Sequence, residues 1–490
     1  MTAKPNILIF MTDQQRGDVV LEGHPVKTPV LDAFRRRAVT FSETFCPSPH
    51  CCPSRASFFT GVYPSEHGVW NNVTVQNALT TGLKPGTRLW STDLVAAGYT
   101  CDFSGKWHVS YEQGPRDYAW TEHRVNAGPK KDHAGIMGLE WDGYAKMAED
   151  LPRPERVRKP GEIVRPGWRD YVHYGINEQP FGDQHVVDVT KQVLASKDAT
   201  SDPWCLYCGT LGPHDPYVVP QRFLDMYADV DIPLPANFHD TLTDRPHLYQ
   251  RTRSFFDQLT DDEHREAIRH YWAFCTYEDW LFGQVLEALE ASGQADNTIV
   301  MYCSDHGDYT AEHGLWCKGL PCFRGAYNVP MMIAGPGIVG DRVVDAPVSL
   351  TDVAPTVLEL TGTESDLPCS GYSLVPWLRG ETPDTWRTAV FTQSNGNEQY
   401  GIQRSITADG WKYVYNGYDF DELYDLSNDP HEQHNLNGDP RYAQQLEDLC
   451  SRMWRFASEH DDTCINPYIM VGMAPYGPAY GLRTGVTSGG

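Results

Sequence analysis

A set of short apolar runs, each stopping at a polar or small residue, constrains the fold more than any other feature: Ile7 to Met11 before Thr12-Asp13, Trp204 to Cys208 before Gly209, Thr298 to Cys303 before Ser304-Asp305, and Met331 to Ala334 before Gly335. A strand with one wet face alternates apolar and polar residues. Runs of this length that are apolar throughout suit strands covered on both faces, as in a parallel sheet. In such sheets function collects at the carboxyl ends of the strands.

Helical patterns lie between the runs. The clearest spans Thr260 to Ser292, where Thr260 and Glu263 have capping-box spacing and Gly293 marks the stop. Helices alternating with buried strands predict an α/β architecture. From about Gly380 the texture changes: a Pro-containing stretch, Gly380 to Pro383, leads into short aromatic strands such as Trp411 to Tyr415. We therefore expect two domains, 1–380 and 381–490, the second a smaller α+β unit with an antiparallel sheet. The tail after Asn466 is rich in Gly, Pro and Tyr and has no period, which suits an extension that packs back or a flexible end.

The 490 residues carry 65 acidic and 40 basic side chains, a formal charge of -25. Such a surface repels phosphate backbones and anionic membranes, so neither nucleic acid nor a membrane is an expected partner. If the substrate is an anion, cations must be gathered locally. Lys4 alone precedes the first apolar run, no small-residue cleavage pattern follows it, and no apolar stretch is long enough to span a bilayer. These features predict a soluble, cytoplasmic chain. Thirteen scattered cysteines, an odd number, argue against a disulfide framework. Cys205 and Cys208 have zinc-like spacing but lie inside an apolar run with no second pair nearby, which favours packing over metal binding.

The most informative segment is Cys51-Cys52-Pro53-Ser54-Arg55-Ala56-Ser57-Phe58-Phe59-Thr60-Gly61. It resembles the signature of the type I sulfatases, within the alkaline phosphatase superfamily, and further family-like elements follow in order over roughly residues 4 to 440. The resemblance implies an alkaline phosphatase-like fold with a large mixed, mostly parallel sheet flanked by helices. It also implies that Cys51, the first Cys of the Cys-x-Pro-x-Arg spacing, is oxidised to formylglycine by a formylglycine-generating system. The hydrated aldehyde suits covalent catalysis: one hydroxyl attacks sulfur and the other later expels sulfate.

Asp13-Gln14 and Asp305-His306, at the ends of two apolar runs, look like the metal-ligand corners of that family. With Cys51 they would hold one divalent cation, calcium being the usual choice. Gln14 and His306 stand where the family often has Asp and Asn; an imidazole moves the preference toward manganese or another transition metal, and magnesium also fits. Gly105-Lys106-Trp107-His108 is similar to the second sulfatase signature, in which Lys106 and His108 would contact sulfate and diol. His108 would take the diol proton. By the same resemblance His214 or Lys318 donates a proton to the leaving oxygen, while Arg55, Lys106 and the metal neutralise the sulfuryl oxygens. Asn72 is expected to touch the anion, although its neighbour Asn71 competes for that assignment. His313 is expected to be structural.

The expected substrate is a small-molecule sulfate ester, aryl or aliphatic, and a homo-oligomer is compatible with the reading. Two alternatives stand beside it. A phosphonate monoester or phosphodiester hydrolase shares the nucleophile and the Asp-Gln plus Asp-His pattern, but lacks the Lys-Trp-His element. An inert binding homologue would need its catalytic positions emptied, and here they are filled.

Overall fold

The computed structural model describes residues 4–482 except 76, 127–144, 146–147, 150–156, 166–170, 199, 398 and 464–473. The apolar runs form the centre of an eight-stranded sheet. Its strands in chain order are β1 (Asn6–Thr12), β2 (Val39–Phe41), β3 (Thr100–Lys106), β4 (Thr121–Asn126), β5 (Trp204–Gly209), β6 (Thr298–Ser304), β7 (Met331–Ala334) and β8 (Arg342–Val344). Across the sheet the order is β8-β2-β7-β6-β1-β5-β3-β4. β1 pairs in parallel with both β6 and β5, and β3 continues the parallel set on the β5 side. β7 alone is reversed, antiparallel to β6 and to β2. The run Met331 to Ala334 is thus a buried strand, but not a parallel one: burial on both faces removes alternation whatever the strand direction.

Each central strand feeds two cores. Ile7, Ile9 and Met11 of β1 point to a face shared with Phe58, Phe59, Phe103 and Tyr207, while Leu8 and Phe10 point to the other. That second face is covered by helices α2 (Asp183–Ala195) and α3 (Asp261–Ala291). The first face receives α1 (Cys51–Thr60), whose ten residues are all buried. Helix α3 starts as the sequence predicts: Thr260 Oγ1 accepts from Glu263 N at 3.3 Å and Glu263 Oε2 accepts from Thr260 N at 2.9 Å. Cys205 and Cys208 fall on opposite faces of β5, one in each core, so their spacing does not bring two thiols together. The twelve described cysteines are all free.

Further along, β9 (Ala389–Ser394), β10 (Gln403–Ala408), β11 (Trp411–Asn416) and β12 (Glu422–Asp425) form a four-stranded antiparallel meander. Helix α4 (Ala443–Glu459) covers it, with Leu449, Met453 and Trp454 against Tyr413 and Tyr415. The described part of the tail packs back on this helix, where Trp454 Nε1 donates to Tyr476 O at 2.6 Å; the rest of the tail lies outside the described residues. Among the described residues, no helix is long and apolar enough to cross a membrane.

Candidate active site

The carboxyl ends of β1, β3, β5 and β6 and the amino end of α1 meet at one place. β1 delivers Asp13 and Gln14, β6 delivers Asp305 and His306, β3 delivers Lys106, and α1 begins at Cys51. Gly105 makes the β3 corner possible. Its φ is +110°, and a Cβ there would sit 1.9 Å from Gly209 O on β5, so only glycine lets the two strand ends lie this close.

One ligand atom from each of Asp13, Cys51, Asp305 and His306 lies within 4.8 Å of the other three, and all four residues are buried. Cys51 Sγ is 3.2 Å from His306 Nε2 and 3.9 Å from Asp13 Oδ1. His306 Nε2 in turn stands 3.6 Å from Asp13 Oδ1 and 3.7 Å from Asp305 Oδ1. His306 Nδ1 faces Gly307 O at 3.0 Å and so carries the proton, which leaves a lone pair on Nε2. Asp305 Oδ1 also accepts from Gln14 N at 3.2 Å and His306 N at 2.9 Å, but two carboxylate oxygens and an imidazole lone pair this close repel one another, and a cation at their centre relieves that. The donor set therefore fits a divalent metal.

The outer oxygens of the same carboxylates are held by cations of the chain. Arg55, one helical turn after Cys51, donates from Nε to Asp305 Oδ2 at 2.8 Å, from Nη2 to Asp13 Oδ2 at 3.1 Å, and from Nη1 to Tyr207 OH at 2.8 Å and Lys106 O at 3.1 Å. Lys106 Nζ also binds Asp13 Oδ2. Arg55 has no exposed surface, and four of its five N–H groups are engaged by these partners. In these contacts Arg55 spans the outer oxygens of the two carboxylates, and Lys106 shares Asp13 with it. Burial would raise the pKa of Asp13, and the thiol adds to that, yet Lys106, His214 and Arg55 together hold the carboxyl far below its ordinary range. At Cys51 burial again opposes ionisation, and Lys106 and Lys318, with the His306 and His108 imidazoles beside them, overcome it, so the thiol lies well below its usual value.

Asn72, not Asn71, reaches the nucleophile end of α1: its Oδ1 accepts from Cys52 N at 3.0 Å, satisfying one of the helix's free amides. Asn71 is turned away, accepting from Leu79 N at 2.9 Å. His108 is buried with a left-handed backbone (φ 51°); its Nε2 meets Thr74 Oγ1 at 2.9 Å while its Nδ1 has no partner. On the other side of Cys51, Lys318 Nζ lies 2.6 Å from His214 Nε2 and donates to Gln14 Oε1 at 2.5 Å. Burial lowers the Lys318 pKa, but Cys51, Asp215 and Asp13 raise it above the ordinary lysine value, so the ammonium is retained. His313 lies outside this group, fixed by Asp240 (2.8 Å) and Asn237 (3.0 Å) and stacked on Phe323 at 3.6 Å.

The sequence reading passed over Thr74, Tyr207, Tyr217, Asp215 and Asp308. Asp215 and Asp308 stand inside the strings His214-Asp215-Pro216 and Asp305-His306-Gly307-Asp308, so proximity to assigned residues was the available signal. For Thr74 and the tyrosines there was none.

Two carboxylates, an imidazole and a cysteine, buried together at the strand ends of an α/β sheet in a set that could hold a divalent cation, make the setting of a metal-assisted hydrolase. The sulfatase family model matches residues 5–363, and a model described as N-sulphoglucosamine sulphohydrolase, C-terminal, matches residues 311–459. The chain belongs to the sulfatase family and is a sulfatase. It is 32% identical to a choline-sulfatase of Rhizobium meliloti over 467 residues, covering 90% of this chain and 84% of that one. In shape it is similar to the phosphonate monoester hydrolase of Agrobacterium radiobacter (TM-score 0.74, 23% identity, 93% and 96% of the two chains). A 2-O GAG sulfatase gives a TM-score of 0.70 at 22% identity, covering 98% of each chain.

Proposed function

We propose that this sulfatase hydrolyses a sulfate monoester of an aryl or small organic alcohol, with residue 51, converted from Cys to formylglycine, as nucleophile and one divalent cation beside it. The convergence of Cys51 Sγ with Asp13 Oδ1, Asp305 Oδ1 and His306 Nε2 carries this reading. Asp13, Gln14, Asp305 and His306 would hold the cation beside residue 51; calcium, the family's usual choice, suits the oxygen ligands, and the imidazole also suits manganese, with magnesium a third fit. Bound there, the metal supplies positive charge for an anionic ester and for the oxygen of residue 51. Formylglycine supplies a hydrated aldehyde, and the buried position at the first residue of α1 fits a group that small.

The chain's own residues divide the remaining work. Lys106 and Asn72 flank the nucleophile and bind the sulfuryl oxygens. His108, whose imidazole interacts with Cys51 and whose Nδ1 has no partner, accepts the nucleophile's proton. Lys318 and His214 stand opposite and protonate the departing oxygen. The formal charge of -25 makes this cluster of cations the place where an anionic ester can dwell. The likeness to a choline-sulfatase and a proposed cytoplasmic location both favour a small ester over a polymer. Maturation would require a formylglycine-generating system as partner.

Gln14 and His306 favour a second reading, a phosphonate monoester or phosphodiester hydrolase, because that group shares the Asp-Gln plus Asp-His pattern. Lys106 and His108 weigh against it. Steady-state kinetics on an aryl sulfate and an aryl phosphonate monoester, with conversion of Cys51 verified by peptide mass, separate the two. A higher kcat/KM for the sulfate is expected. Preference for the phosphonate would replace the main reading while leaving nucleophile and metal cluster in place.

A further inference from the structure

We infer that Asn397, in the turn between β9 and β10 of the second sheet, is a positioning residue that holds Asn72 in place for the anionic end of the substrate. Asn397 grips the segment that carries Asn72 at two points: its Oδ1 accepts from Asn72 N at 3.0 Å, and its O accepts from Asn77 Nδ2 at 2.9 Å. The Asn72 side chain has one amide orientation. Cys52 N can only donate, so Asn72 Oδ1 faces it, and Nδ2 is left as a donor with no acceptor from the chain among the described residues. If Asn72 binds a sulfuryl oxygen, Nδ2 is the atom that does so. Its place is set by two bonds, one from the side chain to the start of α1 and one from the backbone to Asn397.

The turn is built to keep Asn397 still. Gly396 has φ +76°, and a Cβ there would sit 1.9 Å from Gln399 O, so only glycine closes the turn. Gly401 N donates to Asn395 O at 3.1 Å across it. Arg404 donates from Nη1 to Asn395 Oδ1 and to Ser394 O, both at 3.1 Å, and from Nη2 to Asp462 Oδ1 at 2.9 Å. Asp462 Oδ2 accepts from Gln393 Nε2 at 3.1 Å, and Gln393 Oε1 accepts from Ser65 N at 2.9 Å, so the same network returns to the chain just ahead of Asn72. Asn397 and Asn72 are 4% and 6% exposed, and a bond between groups so shielded is not readily exchanged for one to water. The second sheet does not need these bonds for its own folding: β9 and β10 pair over their full length, and the core under α4 is made without Asn397. What the bonds fix lies across the interface, at the nucleophile end of α1.

The inference rests on the reading that Asn72 binds the sulfuryl oxygens, and the test separates the two. For matured, metal-replete enzyme, four quantities are measured: kcat/KM on an aryl sulfate, inhibition by inorganic sulfate, bound metal and the thermal midpoint. The variants are Asn72→Ala, Asn397→Ala and the two combined. Asn397→Ala is expected to bind metal at the wild-type stoichiometry and to lose about tenfold in kcat/KM, with weaker inhibition by sulfate. In the Asn72→Ala background the same change should cost less than about twofold, because the donor it places is already gone. A general loosening of the fold would lower both backgrounds alike. If Asn397→Ala does not fold, Asn77→Ala releases the other grip and should show the same loss only where Asn72 is present. Losses that multiply in the combined variant, or an Asn397→Ala enzyme with wild-type kcat/KM and sulfate inhibition, overturn the inference. An Asn72→Ala enzyme with wild-type kcat/KM and sulfate inhibition overturns the reading beneath it.

Discussion

Removal of Arg55 would leave Asp13 and Asp305 buried and facing each other with one counter-charge fewer. Breaking a buried ion pair from one side typically costs about 3–5 kcal/mol. We expect Arg55→Met to lose stability on that scale in urea unfolding of the metal-free protein, and to bind the divalent cation more weakly. Arg55→Lys should recover only part of the loss, because a single ammonium cannot span Asp305 Oδ2 and Asp13 Oδ2 as the fork does. A variant as stable as the parent would mean that Lys106 suffices to hold both carboxylates. At this scale the sequence was legible where residue type and chemistry coincide: Cys51, Asp13, Asp305, His306 and Lys106 were marked by their strings. The partners of Arg55 were not, because a string does not say which groups a guanidinium spans. The bonds from Gln14 to Asp215 and Asp308 were not either, because they join residues separated by 201 and 294 positions.

At the scale of elements, strand ends and helix starts were the readable part, since both depend on local chemistry. Helix α3 shows this best: its cap needs only Thr260 and Glu263. Thr260→Ala should lower stability by about 1 kcal/mol in chemical denaturation, the usual value of an N-cap hydroxyl. Glu263→Ala should cost more, because that carboxylate also accepts from Arg158 at 2.7 Å and Gly161 N at 2.9 Å. Equal losses from the two variants would show that Arg158 adds nothing. Strand direction was less readable, and β7 is the instance: Met331 to Ala334 carries the same apolar signal as its parallel neighbours.

At the scale of the molecule, buried carboxyls far from one another give the fold a common response to pH. Burial pushes Asp183, Asp279 and Asp421 up from 3.8 to about 7. Between those values an unfolded chain would be ionised while the folded carboxyls keep their protons, so the folded state binds more protons and loses stability as pH rises to about 7. Asp13, Asp18 and Asp215 act in the opposite sense: cations of the chain hold them low despite burial, so their contribution is present above 3.8 and lost in acid. We expect a thermal midpoint lower at about pH 8 than at about pH 6. In Asp421→Asn, whose site bonds Tyr413 OH (2.7 Å) and Asn416 N (2.9 Å) far from the metal cluster, the fall should be smaller. A fall of equal size would assign the effect to other groups.

The reversal of β7 has a consequence for how this chain can change. Because β6 leaves the sheet at the catalytic end and β7 enters it there, the segment from Asp305 to Pro330 goes out and returns on one side. It carries Asp305, His306, Asp308 and Lys318 on a single excursion, with both anchor points in the same packed layer. Had β7 run with its neighbours, the chain would have had to cross to the far edge first, and any lengthening would have disturbed two surfaces. As built, the outer part of that excursion can lengthen or change shape while both of its anchor points, and the opposite edge of the sheet, stay as they are.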